Sequence, residues 1–187
     1  MPEKAETVGP IKILQLRPNL YMLVGPGGNS VVQTGDGGVL VVDTMTQAAG
    51  DAVVAAIRTL SSRPVLQIIT TNADADHAGG NEIVRKAGAY LATGNTRDGG
   101  GAGILGFEET LNRMSADGSP FPKLAWPTDS FFVKQKDLFM NGDAVQVLHQ
   151  PAAHTDGDVM VLFRRADVLV TSDVFTPNRY PVVDLEH

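Results

Sequence analysis

The chain has 187 residues, of which 43% are hydrophobic and 19% are charged, and its formal net charge is -6. This length and hydrophobic content predict a single domain, residues 1–187, with a buried core. The acidic balance and the scattered Lys and Arg argue against nucleic acid or an anionic membrane as a partner. The absence of cysteine excludes disulfides, Cys-ligated zinc and thiol catalysis.

The N-terminal segment and the apolar runs say little about the cellular compartment. No apolar run is long enough for a transmembrane helix, and the opening residues MPEKAETVGP lack the apolar centre of a secretory signal. We therefore expect a cytoplasmic protein, or a periplasmic or secreted one if a signal was removed. The sequence leaves this choice open.

The first third of the chain predicts a β-meander followed by a helix and a buried strand. Short β-rich runs separated by turn-forming segments predict strands at 11–16, 21–25, 30–35 and 38–44. Residues 47–60 have the apolar spacing of a helix, with one face formed by Val53, Val54, Ile57 and Leu60. The apolar run at 65–70 is typical of a strand covered on both faces, so an α/β layer is expected beside the meander.

The rest of the chain is less regular in its first half than in its second. A helix is predicted at 80–88, ended by Gly88, and a short strand at 90–93. Residues 94–130, rich in glycine and proline, predict a long surface excursion that includes a helix at 107–114. Further apolar runs predict strands at 137–140, 144–150, 159–164 and 167–173.

The segment NADADH, directly after the strand at 65–70, contains four side chains that can bind a metal: Asn72, Asp74, Asp76 and His77. Alternate residues of an extended chain point to the same side, which brings the first three together. The alternative is an Asx-rich helix start, in which Asn72 or Asp76 caps the helix and the others are solvated. This segment alone does not choose between the two.

Two further strand ends carry the same kinds of side chain. HQPAAHTDGD contains His149 and His154, and VLVTSDVF contains Asp173. A carboxylate at the end of a buried strand is costly unless it is paired or metal-bound. Three strand ends that each deliver Asp or His therefore predict one shared metal site. His149 lies within the strand pattern, so we expect it to pack or to support the site.

Together these segments resemble the signature of the metallo-β-lactamase superfamily. TTNADADHAGGN is similar to the family's T-H-x-H-x-D-H-x-G-G-N, AAHTDGD to its third-histidine loop, and TSDVF to the segment with its bridging aspartate. GGVLVVDT resembles the early strand whose aspartate, here Asp43, supports the site. The resemblance runs from about residue 21 to 184 and implies an αββα sandwich of the α/β class. Because the chain stops soon after Asp173, the C-terminal portion of that sandwich is expected to be absent.

The resemblance also implies a set of metal ligands, although N-x-D-x-D-H here replaces the family's H-x-H-x-D-H. The ligands so implied are Asn72, Asp74, Asp76, His77, His154 and Asp173. A further family histidine would lie beyond the end of this chain, and His187 is too close to the terminus to replace it. One or two zinc ions are implied, and the additional oxygen ligands favour Mn or Fe as alternatives.

The leading hypothesis is a metal-dependent hydrolase that acts on a small-molecule substrate. A bound ion lowers the pKa of its water to about 7, so that hydroxide can attack an ester, lactone, amide or similar bond at neutral pH. The resemblance implies that Asp76 orients this nucleophile as well as binding metal. The substituted motif leaves two alternatives open. One is a non-haem iron oxidoreductase of the same superfamily, suggested by Asp74.

The other alternative is a degenerate, metal-poor domain that is inactive as it stands and binds a ligand or a partner. It follows from the two replaced histidines and from the expected loss of the C-terminal portion. A partial sandwich exposes apolar sheet surface, so this alternative predicts a homodimer or aggregation.

Overall fold

The computed structural model describes residues 5–89, 100–177, 180 and 182–183. The strands in these ranges are β1 (Ala5–Val8), β2 (Ile11–Arg17), β3 (Leu20–Gly25), β4 (Gly28–Gln33), β5 (Val39–Val42), β6 (Val65–Ile69), β7 (Gly103–Phe107), β8 (Asp129–Phe131), β9 (Gln135–Met140), β10 (Asp143–His149), β11 (Val159–Phe163) and β12 (Val168–Val170). The α-helices are α1 (Gly50–Leu60), α2 (Ala75–Ala78), α3 (Asn81–Ala87) and α4 (Glu108–Ser115). Short 3₁₀ turns occur at Gln47–Ala49, Lys123–Ala125 and Ser172–Val174. Across these ranges, no helix combines the length and the apolar character needed to cross a bilayer.

The strands form two sheets. In the first sheet the strands follow chain order from β1 to β8, antiparallel as far as β5 and parallel from β5 to β8. The second sheet has the order β12-β11-β10-β9 and is antiparallel throughout. The architecture is therefore mixed α/β, with two sheets and associated helices, as predicted.

The hydrophobic core lies in two main layers on either side of the first sheet. One layer joins this sheet to α1 and α3, and its buried side chains include Ile11, Leu23, Val41, Val53, Ile57, Ile68 and Val84. The other layer joins the two sheets, and its buried side chains include Leu40, Val42, Ile69, Leu105, Val145, Val147, Val161 and Phe163. Burial on both faces explains why β5 is wholly apolar and why β6 is apolar except for Gln67.

The predicted meander and first helix are confirmed. The four strands of the meander are β2 to β5, and α1 buries Val53, Val54 and Ile57 while Leu60 packs beside them. The predicted helices at 80–88 and 107–114 correspond to α3 and α4, and the later apolar runs correspond to β9 to β12. The strand predicted at 90–93 lies outside the described residues.

The prediction of a surface excursion over 94–130 is wrong for its central part. Residues 103–107 form β7, which pairs with β6 on one side and β8 on the other and is largely buried. The glycines that made this segment look like a loop allow close packing instead. A Cβ on Gly106 would lie 2.8 Å from the Cγ of Pro127, so a larger side chain would displace the following loop.

The topology brings the predicted site segments to one edge. β5 and β6 are parallel, so their carboxyl ends, followed by Asp43 and by residues 71–77, lie side by side. β10 ends at His149 and β12 ends at Val170, just before the loop of His154 and the turn of Asp173 respectively. Sites at the carboxyl ends of strands are typical of parallel sheets.

Candidate metal centre

The loop after β6 is shaped by Asn72 and by Gly80. The Asn72 side chain is fully buried, and its Oδ1 accepts a hydrogen bond of 3.0 Å from the Asp74 backbone N–H. Helix α2 begins directly after Asp74. A Cβ on Gly80 would lie 2.3 Å from the Thr44 carbonyl oxygen, so only glycine permits the close approach that follows this helix.

His77 is held from the core side by Asp43. Its Nδ1 lies 2.8 Å from Asp43 Oδ2, and the same carboxylate accepts hydrogen bonds from the Thr71 backbone N–H at 2.8 Å and the Thr71 hydroxyl at 2.7 Å. A carboxylate only accepts, so His77 donates from Nδ1. This contact directs Nε2 to Asp173 Oδ2, at 2.9 Å. A histidine braced in this way by a carboxylate is typical of metal ligands.

His154 is held by a backbone carbonyl instead. Its Nδ1 donates to the Val182 carbonyl oxygen at 2.7 Å, and its Nε2 lies 2.9 Å from Asp74 Oδ2. The loop that carries His154 is tied to the fully buried carboxylate of Asp158, which accepts a hydrogen bond from the Thr155 backbone N–H. The imidazole therefore turns Nε2 towards the loop after β6.

Asp173 lies where these segments meet. It sits in the 3₁₀ turn after β12, and its Oδ2 accepts hydrogen bonds from His77 Nε2 at 2.9 Å and from Asn72 Nδ2 at 3.0 Å. The preceding Ser172 has a φ of 49° and its hydroxyl is 2.7 Å from that of Thr71. The turn is thus anchored to Thr71, which also binds Asp43.

These contacts change the pKa values of the imidazoles and of Asp173. Burial lowers the pKa of His77, but the neighbouring carboxylates of Asp43 and Asp173 outweigh it and raise the pKa to about 11. The hydrogen bond from His77 lowers the pKa of Asp173 to about 2. Burial lowers the pKa of His154, whereas the Val182 carbonyl and Asp74 raise it by more. The site therefore favours positive charge on its imidazoles, and a cation would compete with these protons.

The donor groups fit a divalent cation. One ligand atom each from Asp74, His154 and Asp173 lie within 4.8 Å of one another. Each imidazole already gives its Nδ1 proton to an acceptor, so each Nε2 faces a carboxylate with either a second proton or a cation between them. Carboxylate oxygens with imidazole nitrogen suit Mn, Fe and Zn.

The other predicted ligands lie at the same edge but outside this trio. His77 contacts Asp173, whereas Asn72 presents its NH₂ group to the site and its oxygen to Asp74. Asp76 is more exposed, at 54% of its side chain, and its Oδ2 is 3.9 Å from His77 Nε2. The assignment of all six as ligands stays a prediction.

His149 packs as expected and does not belong to the trio. Its ring stacks on Phe107, with centroids 3.5 Å apart and planes inclined by 12°. Its Nε2 donates to the Asp156 carbonyl oxygen at 2.8 Å, which helps to hold the loop of His154. His187 lies outside the described residues.

Sequence reasoning missed Asp158. Its Oδ1 accepts a hydrogen bond from Asn72 Nδ2 at 3.2 Å, so it joins the loop after β6 to the loop of His154. The sequence did indicate a role for Asp158, because this residue immediately precedes the apolar run of β11 and a carboxylate in that position needs partners.

A groove of about 420 Å³ adjoins the site between the two sheets. Its polar end is formed by Asp43, Asp76, His77 and Asp173. Its walls are mainly apolar and include Leu16, Met22, Val31, Val42, Val170 and Phe175. The groove thus places apolar walls next to these four polar side chains.

Comparison with solved structures gives the same fold. A metallo-beta-lactamase from Pontibacter korlensis is 16% identical with a TM-score of 0.67, covering 85% of this chain and 69% of its own. A Cronobacter sakazakii metallo-beta-lactamase with an HARLDQ motif is 17% identical with a TM-score of 0.69, covering 92% of this chain and 66% of its own. The metallo-beta-lactamase MIM-1 from Novosphingobium pentaromativorans is 21% identical with a TM-score of 0.62, covering 83% and 57%.

The chain thus spans between 57% and 69% of the length of these three structures. Among proteins with curated descriptions, none matches the chain significantly. The family model described as the metallo-beta-lactamase superfamily matches residues 23–186, which is nearly the whole sequence. The chain therefore belongs to the metallo-beta-lactamase superfamily.

Proposed function

We propose that the protein is a metal-dependent hydrolase. The observation that carries this proposal is the approach of Asp74, His154 and Asp173, from three separate strand ends, to within 4.8 Å of one another. Charged groups brought together from distant segments are costly unless they serve a ligand or each other. Membership of the metallo-beta-lactamase superfamily makes a metal the natural ligand.

The cation is assigned to Asp74, His154 and Asp173, with His77 beside Asp173. When bound, it would acidify a coordinated water and polarise the bond to be cleaved. Asp43 and the Val182 carbonyl hold the two imidazoles in the tautomer that offers Nε2. Asp76, half-exposed beside His77, has the role of orienting the attacking water and accepting its proton.

The site suits a substrate that contains a carbonyl group. An ester, lactone, thioester or amide, including a β-lactam, presents a carbonyl that such a centre can attack. The apolar walls of the adjoining groove favour a substrate with an apolar part over a highly charged one. With two carboxylates and one imidazole in the trio, Mn or Fe is as well matched as Zn, and one ion is enough.

The proposal is tested by metal content and hydrolysis measured on the same preparations. Purified protein, loaded separately with Zn, Mn and Fe, is analysed by elemental analysis and assayed with chromogenic ester, lactone, thioester and β-lactam substrates. Asp76→Ala and His154→Ala should abolish hydrolysis, and His154→Ala should also release the ion. Asp36→Ala is the matched control, since this carboxylate is fully exposed in the turn before β5. Protein that binds none of the three ions and cleaves none of the substrates would overturn the proposal.

A second candidate is a non-catalytic domain that binds a ligand or partner. It is favoured by one observation: His77 with Asp173, and His154 with Asp74, are each 2.9 Å apart, so each imidazole can form an ion pair with a carboxylate of the site. In that case the carboxylates and imidazoles stabilise the fold of the loops. Unchanged thermal stability on adding any of the three ions, in protein that is fully folded, would favour this candidate.

A further inference from the structure

The sequence resemblance pairs Asn72 with the family's first histidine, but the Asn72 amide turns its NH₂ group, and not its oxygen, to the carboxylates of the site. The Asp74 backbone N–H can only donate, so the Asn72 atom 3.0 Å from it is the carbonyl oxygen Oδ1. The NH₂ group is thereby directed to two carboxylates, Asp158 Oδ1 at 3.2 Å and Asp173 Oδ2 at 3.0 Å. Amides bind cations through oxygen, and one of the two lone pairs of this oxygen is engaged by the Asp74 N–H, whereas the NH₂ group faces the carboxylates.

The two carboxylates that share this NH₂ group belong to different parts of the site. Asp173 contacts His77 and belongs to the cation trio, whereas Asp158 is fully buried and holds the loop of His154 through the Thr155 backbone N–H. Two carboxylates close to one another repel, and each N–H of the amide offsets part of that repulsion. Asn72 therefore connects the Asp74 backbone, Asp158 and Asp173.

We propose that Asn72 is a positioning residue and not a ligand, and that the chain binds a single cation between Asp74, His154 and Asp173. This inference rests on the proposed metal-dependent function for its cation, but not for the hydrogen bonds of Asn72. The amide holds the Asp173 carboxylate in place from one side while His77 holds it from the other. An asparagine at this position thus supplies two N–H donors to the carboxylates of the site.

The chain contains a matched internal control in Asn141. Its Oδ1 accepts a hydrogen bond from the Gly37 backbone N–H at 3.1 Å, and its NH₂ group faces the Gly38 carbonyl oxygen at 3.0 Å and Gln33 Oε1 at 3.4 Å. The pattern of one accepted and two donated bonds is the same as that of Asn72. Asn141 lies in the turn between β9 and β10, near the start of β5 and thus at the end of that strand away from Asp43.

The first measurement follows the side-chain NH₂ groups of ¹⁵N-asparagine-labelled protein by NMR during titration with diamagnetic Zn²⁺. The Asn72 NH₂ should exchange with water at least about tenfold more slowly than that of exposed Asn29, and should stay protected after one equivalent. Asn141 should be protected throughout. A ligand role would require the amide to turn, so Zn²⁺ would then expose the Asn72 NH₂ while leaving Asn141 unchanged, which would overturn the proposal.

The second measurement separates positioning of the cation site from a merely structural role. Asn72→Ala should lower the affinity for Zn²⁺ and Mn²⁺, measured by calorimetry, by about tenfold and also lower the Tm of the metal-free protein. Asn141→Ala should lower the Tm and leave the affinity unchanged. Equal affinities for wild type and Asn72→Ala, or two ions per chain in the wild type, would overturn the proposal.

The same measurements distinguish a failure of the proposed metal-dependent function from a failure of the role proposed for Asn72. If wild-type protein binds neither ion, the metal-dependent hydrolase and the single-cation site both fail. The Asn72 NH₂ of that metal-free protein still reports on the hydrogen bonds. Slow exchange of this NH₂ group supports its hydrogen bonds to Asp158 and Asp173, and exchange as fast as that of Asn29 would show that these bonds are not formed.

Discussion

The candidate centre has two halves that differ in what holds them. His77 is braced by Asp43, whose carboxylate is bound by Thr71 at the end of β6, so this half is continuous with the core. His154, in the loop between β10 and β11, is braced by the carbonyl of Val182, which lies after β12. Their side chains are about equally exposed, 13% and 14%, and they differ in the groups that brace them. Substitutions in the first half should reduce stability and binding together, and those in the second should reduce binding alone.

The largest expected effect comes from Asp43→Ala. Removing one partner of a buried charged pair leaves His77 and the Thr71 N–H without their acceptor, so the free energy of unfolding should fall by about 3 kcal/mol. Cation affinity should fall as well, because Nε2 is no longer directed to Asp173. Urea unfolding and calorimetry measure the two effects.

Asp143→Ala is the matched control for that substitution. This buried carboxylate accepts the backbone N–H of Arg165 at 2.7 Å and of Ala166 at 3.3 Å, at the start of β10 and away from the centre. It should cost comparable stability and leave cation affinity unchanged. If Asp43→Ala were to lose stability but retain wild-type affinity, the first half would be structural only.

His154→Ala should give the opposite pattern. Loss of a supporting partner alone commonly lowers metal affinity by about ten- to a hundredfold, so loss of this ligand should reach at least the upper value. The free energy of unfolding should change by less than about 1 kcal/mol, since the loop keeps its bonds to Asp158 and from His149. A large loss of stability would show that both halves are equally part of the core.

The pH dependence of the metal-free protein tests the first half without a substitution. The pKa of His77 is raised from 6.5 to about 11, so its stabilisation is fully present below pH 6.5 and is lost as the pH rises towards 11. The pKa of Asp173 is lowered from 3.8 to about 2, so its contribution is present above pH 3.8 and is lost as the pH falls through 2. The His77–Asp173 pair should therefore stabilise the folded protein most between pH 3.8 and pH 6.5.

Urea unfolding in the presence of a metal chelator, repeated from about pH 4 to about pH 10, measures how the free energy of unfolding depends on pH. His77→Gln is the comparison, because it keeps a polar side chain that does not titrate. The difference in unfolding free energy between wild type and variant should shrink as the pH rises above 6.5. A difference that is constant with pH would mean that His77 gains no proton on folding.

The sequence predicts the elements whose signals are local. The meander β2 to β5 was predictable because turn residues separate its strands, and the three site segments because each follows an apolar run. Strand β7 was not predictable, because three of the six residues from Gly101 to Gly106 are glycine and their extended conformation depends on pairing with β6 and β8. Strand β1 was missed for a similar reason, since its polar residues pair with β2.

The candidate site shows the same limit at the level of atoms. The sequence indicates which side chains can bind a metal, and the structure brings three of the six within reach of one ion. The sequence does not indicate which end of the Asn72 amide faces the site. That orientation depends on Asp158 and Asp173, which are 86 and 101 residues away along the chain. Orientation is decided by partners that only the folded chain brings together.

The smallest expected effect concerns Arg113, which connects α4 to the loop of His154 by an ion pair with Asp156. Both side chains are partly exposed, so Arg113→Ala should reduce the free energy of unfolding by less than about 1 kcal/mol. The loop keeps the bond from the Thr110 hydroxyl to the Gly157 carbonyl at 3.1 Å, so cation affinity should fall by only a few-fold.

Arg63→Ala, which removes a weaker surface pair with Asp36 at 4.0 Å, should leave affinity unchanged. Calorimetry at low and high salt measures the cation affinity of both variants. The loss of affinity for Arg113→Ala should diminish at high salt, because exposed ion pairs are screened. An affinity loss as large as that of His154→Ala would mean that the second half of the centre depends on this one surface contact and is not formed in advance.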